Sequence, residues 1–159
     1  MKFNSQICTT REQSERLLSL GLKKETADMY IWIDNRASEA RNTSDNPQNY
    51  FLEFYREHLI RNGSIFIPAW SLHMLIEMIQ DVCPQVVIIF HKVDIRSNVK
   101  RIAYSFDVCD NLYDNIVDCI EWLINEGYFN KEYLVDQDTI EEHCKGVLEY
   151  LDYIRGEEE

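Results

Sequence analysis

The sequence predicts an α+β fold, and two observations carry that prediction. Helix and strand signals alternate irregularly along the chain, and the clearest strand pair, residues 86–93 and 101–108 joined by a turn around Ser97-Asn98, is antiparallel. Together they favour a small, mainly antiparallel sheet with amphipathic helices on one face, in a single domain spanning 1–159, over a doubly wound parallel fold. A chain of 159 residues buries roughly 70% of its unfolded surface. With 45% hydrophobic and 12% aromatic residues it can fill a core without staples.

Taken in order, Thr10-Arg11-Glu12-Gln13 has the form of a capping box. Leu17, Leu18 and Leu20 give the helix that follows its apolar edge, and Gly21 suits the position after its end. A short helical turn is expected over 24–28, then a strand over 29–33 (MYIWI). Residues 34–46 are polar and read as a mobile loop. Asn46-Pro47 opens a helix whose apolar face is Tyr50, Phe51, Phe54, Tyr55 and Leu59, stopped at Asn62-Gly63. A short strand over 65–67 is expected to close at Pro68. Ser71 then caps a further helix, with Trp70 stapled to Leu75 and a buried stripe of Leu72, Leu75, Ile76 and Ile79.

In the strand of residues 101–108, Ile102, Tyr104, Phe106 and Val108 alternate with Ala103, Ser105 and Asp107, which makes one face core and the other wet or lightly covered. Two acidic helices finish the chain. Asp110 is the expected cap of the first, which runs to about Glu126 with Leu112, Ile116, Ile120, Leu123 and Ile124 inward. The second follows Asp138, on a seam of Ile140, Cys144, Val147, Leu151 and Ile154, and ends in an acidic tail; residues 136–159 read as an addition to the domain.

Charge is distributed as unevenly as structure. Residues 107–159 hold 16 acidic against three basic side chains, a net of −13, whereas the first 106 residues hold 13 basic and 12 acidic and are close to neutral. An asymmetric field of that kind steers partners and repels polyanions. The acid resolves into outward helix faces: Asp114, Asp118 and Glu121 on the first helix, and Glu141, Glu142, Glu149 and Asp152 with Tyr153 on the second. Three readings of that surface stand side by side: a solvated face, a mimic of a nucleic-acid phosphate array, or a face exposed because the apolar seam behind it pairs with another chain.

Chemistry-bearing patterns are few. Five glycines lie apart and assemble neither a dinucleotide nor a P-loop fingerprint, and no GxSxG elbow appears. His58, His73, His91 and His143 occur singly, without zinc spacing. Cys8, Cys83, Cys109, Cys119 and Cys144 form no CxxC pair, and their use suits a reducing cytoplasm. The sequence therefore predicts no cofactor, no metal and no catalytic set, although a Cys/His pair meeting in space would escape this reading. The longest apolar run is residues 86–90, far short of the ~20 a membrane span needs, and no export signal is read. Basic residues Arg11, Arg16, Lys23 and Lys24 sit on a helix–Gly–helix segment, but a short second helix and a net charge of −12 disfavour direct nucleic-acid binding.

Three blocks are familiar together. They are Glu12-Gln13-Ser14 leading through Leu17-Leu18 and Leu20-Gly21-Leu22 to Thr26-Ala27-Asp28-Met29; Ile67-Pro68-Ala69-Trp70-Ser71-Leu72 with Leu75-Ile76-Glu77-Met78; and Asp118 to Leu123 in a helix ending near Gly127-Tyr128. In these blocks the chain resembles uncharacterised small proteins encoded by phages and integrated mobile elements of gut Bacteroidales. The resemblance implies a cytoplasmic accessory protein of a mobile element, and supplies no activity, cofactor or site residue.

The leading expectation is thus a non-enzymatic interaction or regulatory protein that binds a protein partner, or a second copy of itself, through its acidic C-terminal helices. The alternative is a small enzyme or ligand-binding protein with a site between residues 36–46 and the sheet, where Arg36 or Arg41 would meet an anionic ligand.

Overall fold

The computed structural model describes residues 6–34 and 64–136. They form three helices and two small antiparallel sheets, an α+β architecture. The chain divides into two compact units, one of residues 1–71 with 135–159 and one of residues 72–134.

In the first unit, helix α1 (Arg11–Ser19) begins as its sequence requires. The Thr10 side chain accepts from the Gln13 N–H, and Gln13 Oε1 accepts from the Thr10 N–H at 3.0 Å. It ends at Gly21, whose φ of 96° admits the Schellman arrangement: Leu22 N–H reaches Leu17 O at 3.1 Å and Gly21 N–H reaches Leu18 O at 3.0 Å. Leu17 and Leu22, the pair this motif brings together, are fully buried. Arg11 is buried on this helix and lies 3.6 Å from Glu15, so it is not presented to a phosphate backbone.

A 3-10 turn (Lys24–Thr26) leads into β1 (Met29–Asp34), which pairs with β2 (Ser64–Ala69) in the register Ile31↔Ile67 and Met29↔Ala69. Cys8, Ile31, Ile67 and Ala69 form the buried cluster on this ladder. Pro68 lies inside β2, opposite Tyr30, and does not close the strand. In a two-stranded sheet every strand is an edge, so a residue without an N–H is tolerated there. Trp70 follows, fully buried, and Ser71 donates its hydroxyl to Asp28 and its N–H to Asp28 Oδ1 at 2.8 Å. The predicted loop and helix at 35–62 and the predicted final helix lie outside the described residues.

The second unit opens with α2 (Leu72–Gln80), which buries Leu75, Met78 and Ile79; the predicted members Leu72 and Ile76 are only half-buried. The predicted strand at 86–93 is a hairpin. Its first part is β3 (Gln85–Ile89), the chain turns at Phe90-His91, and β4 (Lys92–Ser97) returns to pair with it. β5 (Ile102–Phe106) then pairs with β4, giving the order β3-β4-β5.

Cross-strand rows define two faces of this sheet. Val86, Ile95 and Tyr104 form one row of the inner face, and Ile88, Val93 and Phe106 form the next. Helix α3 (Leu112–Asn125) lies against that face, where Trp122 stacks on Tyr104 with centroids 4.8 Å apart. The opposite face carries the rows Gln85, Arg96, Ala103 and Val87, Asp94, Ser105. α3 is capped by Asn111, not by the predicted Asp110: Asn111 Oδ1 accepts from the Asp114 N–H at 3.2 Å. It ends in a second Schellman arrangement at Gly127, with φ 76°, where Tyr128 N–H reaches Leu123 O at 2.9 Å.

After α3, a 3-10 turn (Lys131–Tyr133) brings the Tyr133 hydroxyl to Asp81, to which it donates. That hydrogen bond, then burial, pushes the phenol from 10.0 up to about 12. A raised folded-state value means the folded chain holds a proton the unfolded chain releases. The stabilisation is therefore complete below pH 10 and disappears as pH rises through about 12. Urea titrations of wild type and Tyr133→Phe should differ by a constant amount up to that lower limit and converge above it. A difference unchanged across this window would show that the hydroxyl contributes nothing through Asp81.

Candidate functional site

Of the predicted acidic face, Asp114, Asp118 and Glu121 fall on α3, spaced along one side as the helical period requires. All three are half-buried, which corrects the expectation of a fully wet stripe. Asp118 accepts from the Cys109 thiol at 3.7 Å. Glu141, Glu142, Glu149, Asp152 and Tyr153, like the 36–46 segment of the alternative reading, lie outside the described residues.

The structure adds a feature at the N-terminal end of α3. Asn115 is fully buried among apolar residues, and its amide ties two backbone segments together. Its Nδ2 donates to His91 O at 2.7 Å and to Cys109 O at 2.8 Å, while its Oδ1 accepts from the Cys109 N–H at 3.0 Å. The tip of the β3–β4 hairpin is thereby fixed beside the segment joining β5 to α3. His91 Nε2 and Asp107 Oδ1, 3.0 Å apart, span the same junction.

What this clamp presents is apolar. Phe90 is 91% exposed and Val108, expected in the core, is 93% exposed, with Ile89 at 54% beside them. Phe90 also takes a φ of 56°, a left-handed backbone that costs a bulky side chain about 1 kcal/mol or more. Asp107 and Asp110 flank Val108 in the chain, Asp107 pairs with His91 next to Phe90, and Asp118 accepts from Cys109 next to Val108, with Asp114 one turn earlier on the same helix. Large apolar side chains inside an acidic rim have the anatomy of a contact surface.

Cys109, His91 and Asp107 come from one neighbourhood, but the thiol donates to Asp118 and the imidazole is paired with Asp107. Cys8 is pushed up to about 12, by burial and then by Asp28; burial also raises Cys83 and Cys119. No group of three or more His, Cys, Asp or Glu among the described residues is arranged to hold a metal ion. No helix among them is long and apolar enough to cross a membrane.

One signal for this site was present in the sequence. Asn115 interrupts the buried stripe of an otherwise apolar helix face, where a polar side chain must find partners. Phe90-His91 gave no warning, because a turn without Gly, Asn or Asp carries no turn signature. Comparison of the chain with protein-family models, with curated proteins and with solved structures finds no match.

Proposed function

We propose that this chain is a non-enzymatic interaction or regulatory protein that binds a partner protein, and that the clamped end of its second unit makes the contact. The observation behind this reading is the strained, almost fully exposed Phe90 held in place by a buried polar clamp. Strain and apolar exposure both cost free energy, and neither serves the core of this unit. The matching partner surface has an apolar cleft for the ring and a basic rim for Asp107, Asp110, Asp114 and Asp118. The acidic surface expected of the C-terminal third then acts at its α3 end, and a cytoplasmic accessory role in a mobile element is the setting the resemblance suggests.

Phe90→Gly is the deciding variant. Glycine accepts the left-handed φ, so stability rises by about 1 kcal/mol. Loss of a central aromatic anchor weakens partner binding roughly thirtyfold. Partners captured by wild-type protein from host lysate should be basic and should release as salt rises, because charge contacts at an exposed rim are screened. Capture that is indifferent to both Phe90→Gly and salt would sink the reading. Opposite signs for stability and binding separate a functional residue from a structural one.

A further inference from the structure

Strand β3 lies at the edge of the three-stranded sheet, and its surface is not accounted for by the contact proposed above. Its central residues, Val86-Val87-Ile88-Ile89, carry no charge and no Pro. On one side it pairs with β4; among the described residues no strand pairs on the other. Edge strands are ordinarily blunted by charge, Pro or a bulge, because their free N–H and C=O groups template a further strand. Val87 and Ile89 point to the outer face of the sheet and are 52% and 54% exposed.

That outer face is also electrically graded. Gln85, the first residue of β3, lies opposite Arg96, and Lys100 is close enough to Cys83, two residues before β3, to act on its thiol. Arg96, Lys100 and Arg101 are all exposed, and no ion pair joins them to a described residue. Lys92, at the other end, is paired with Asp94 at 3.6 Å. The edge therefore runs from a corner of unpaired cations at Gln85 to Val87 and Ile89, which lie opposite Asp94 and Lys92, charges that are paired with each other.

We infer that β3 receives an extended segment of a partner protein as an added antiparallel strand, with apolar side chains beside Ile89 and Val87 followed by acidic residues at the Arg96–Lys100 corner. Antiparallel addition continues the pattern of the sheet and is slightly the more stable ladder. It also fixes polarity: a strand opposed to β3 passes Ile89 first and Gln85 last, so the peptide reads apolar, then acidic. Alternate residues meet the outer face, which sets the spacing. A second copy of the chain fits less well. Its own β3, reversed, would bring Ile89 rather than a carboxylate to the cationic corner, and both copies carry a net charge of −12.

The test uses the full chain and a peptide labelled at its N-terminus, fluoresceinyl-Gly-Gly-Thr-Val-Thr-Val-Thr-Glu-Glu-amide, read by anisotropy. It should bind about tenfold more tightly than the same peptide ending Lys-Lys, or than its reversed sequence. Arg96→Glu with Lys100→Glu, both at exposed positions, should invert the Glu/Lys preference. Val87→Lys should weaken both peptides. Phe90→Gly should leave them unchanged, so failure here and failure of the partner contact are distinguishable. Equal binding of all three peptides, or a preference that survives the double charge reversal, would overturn the inference. So would sedimentation of the wild-type chain as a dimer that Val87→Lys disperses, since the edge would then be covered by a second copy.

Discussion

Trp70→Ala should cost the first unit about 4 kcal/mol, a large part of the 5–15 kcal/mol that holds an ordinary domain folded. The ring is fully buried, and its Nε1 donates to Thr26 Oγ1 at 2.9 Å, which anchors the 3-10 turn before β1. The backbone of Trp70 donates to Thr9 Oγ1 at 3.0 Å and accepts from the Thr9 N–H at 2.9 Å; alanine keeps both bonds. The loss therefore isolates the side chain: buried apolar area, the cavity left behind and one hydrogen bond. Thr26→Val retains most of the shape and removes the acceptor together with the hydroxyl's own donation to Lys23 O at 2.6 Å, so its cost of about 2 kcal/mol is an upper bound on the hydrogen-bond term. Urea denaturation followed by circular dichroism measures both variants. A Trp70→Ala loss no larger than that of Thr26→Val would mean that the ring fills no core.

Local chemistry was the most legible part of this chain. The Thr10/Gln13 box and the two glycine stops at Gly21 and Gly127 could be read because each is decided within a few residues by orphan N–H and C=O groups and by a positive φ. Other outcomes turned on a choice between neighbours or on a partner distant in sequence. Asn111 took the cap that Asp110, one residue earlier, was expected to fill, and Ser71, directly before its helix as expected, also donates to Asp28, far back in the chain. Val108 continued an alternating pattern, yet the strand ends at Phe106 and leaves it in solvent. The hairpin at Phe90-His91 was hidden for a related reason. Its geometry is imposed by the clamp from α3 and by strand pairing, against the preference of the turn residues themselves. Of the acidic face, helical spacing set Asp114, Asp118 and Glu121 along one side of the helix, where they are half-buried. It could not show how far neighbouring segments cover them.

Asn115→Ala should lower the stability of the second unit by about 3 kcal/mol and loosen the partner contact as well. The substitution leaves His91 O, Cys109 O and the Cys109 N–H without the side chain that serves all three. Each such group costs about 1–3 kcal/mol if it stays dry, and entry of water would recover part of that sum. Asn115→Asp is the sharper variant. It keeps an acceptor for the Cys109 N–H but turns the amide's donor into a second acceptor, aimed at two carbonyl oxygens. If the clamp only supports the fold, both variants lose stability and any surviving folded protein binds its partner normally. If the clamp positions Phe90, amide exchange at His91 and Cys109 should accelerate, and affinity should fall even in molecules that remain folded. Phe90→Gly moves stability the other way while weakening the same contact. Two variants with opposite effects on folding and one shared effect on binding would place the contact at the hairpin tip.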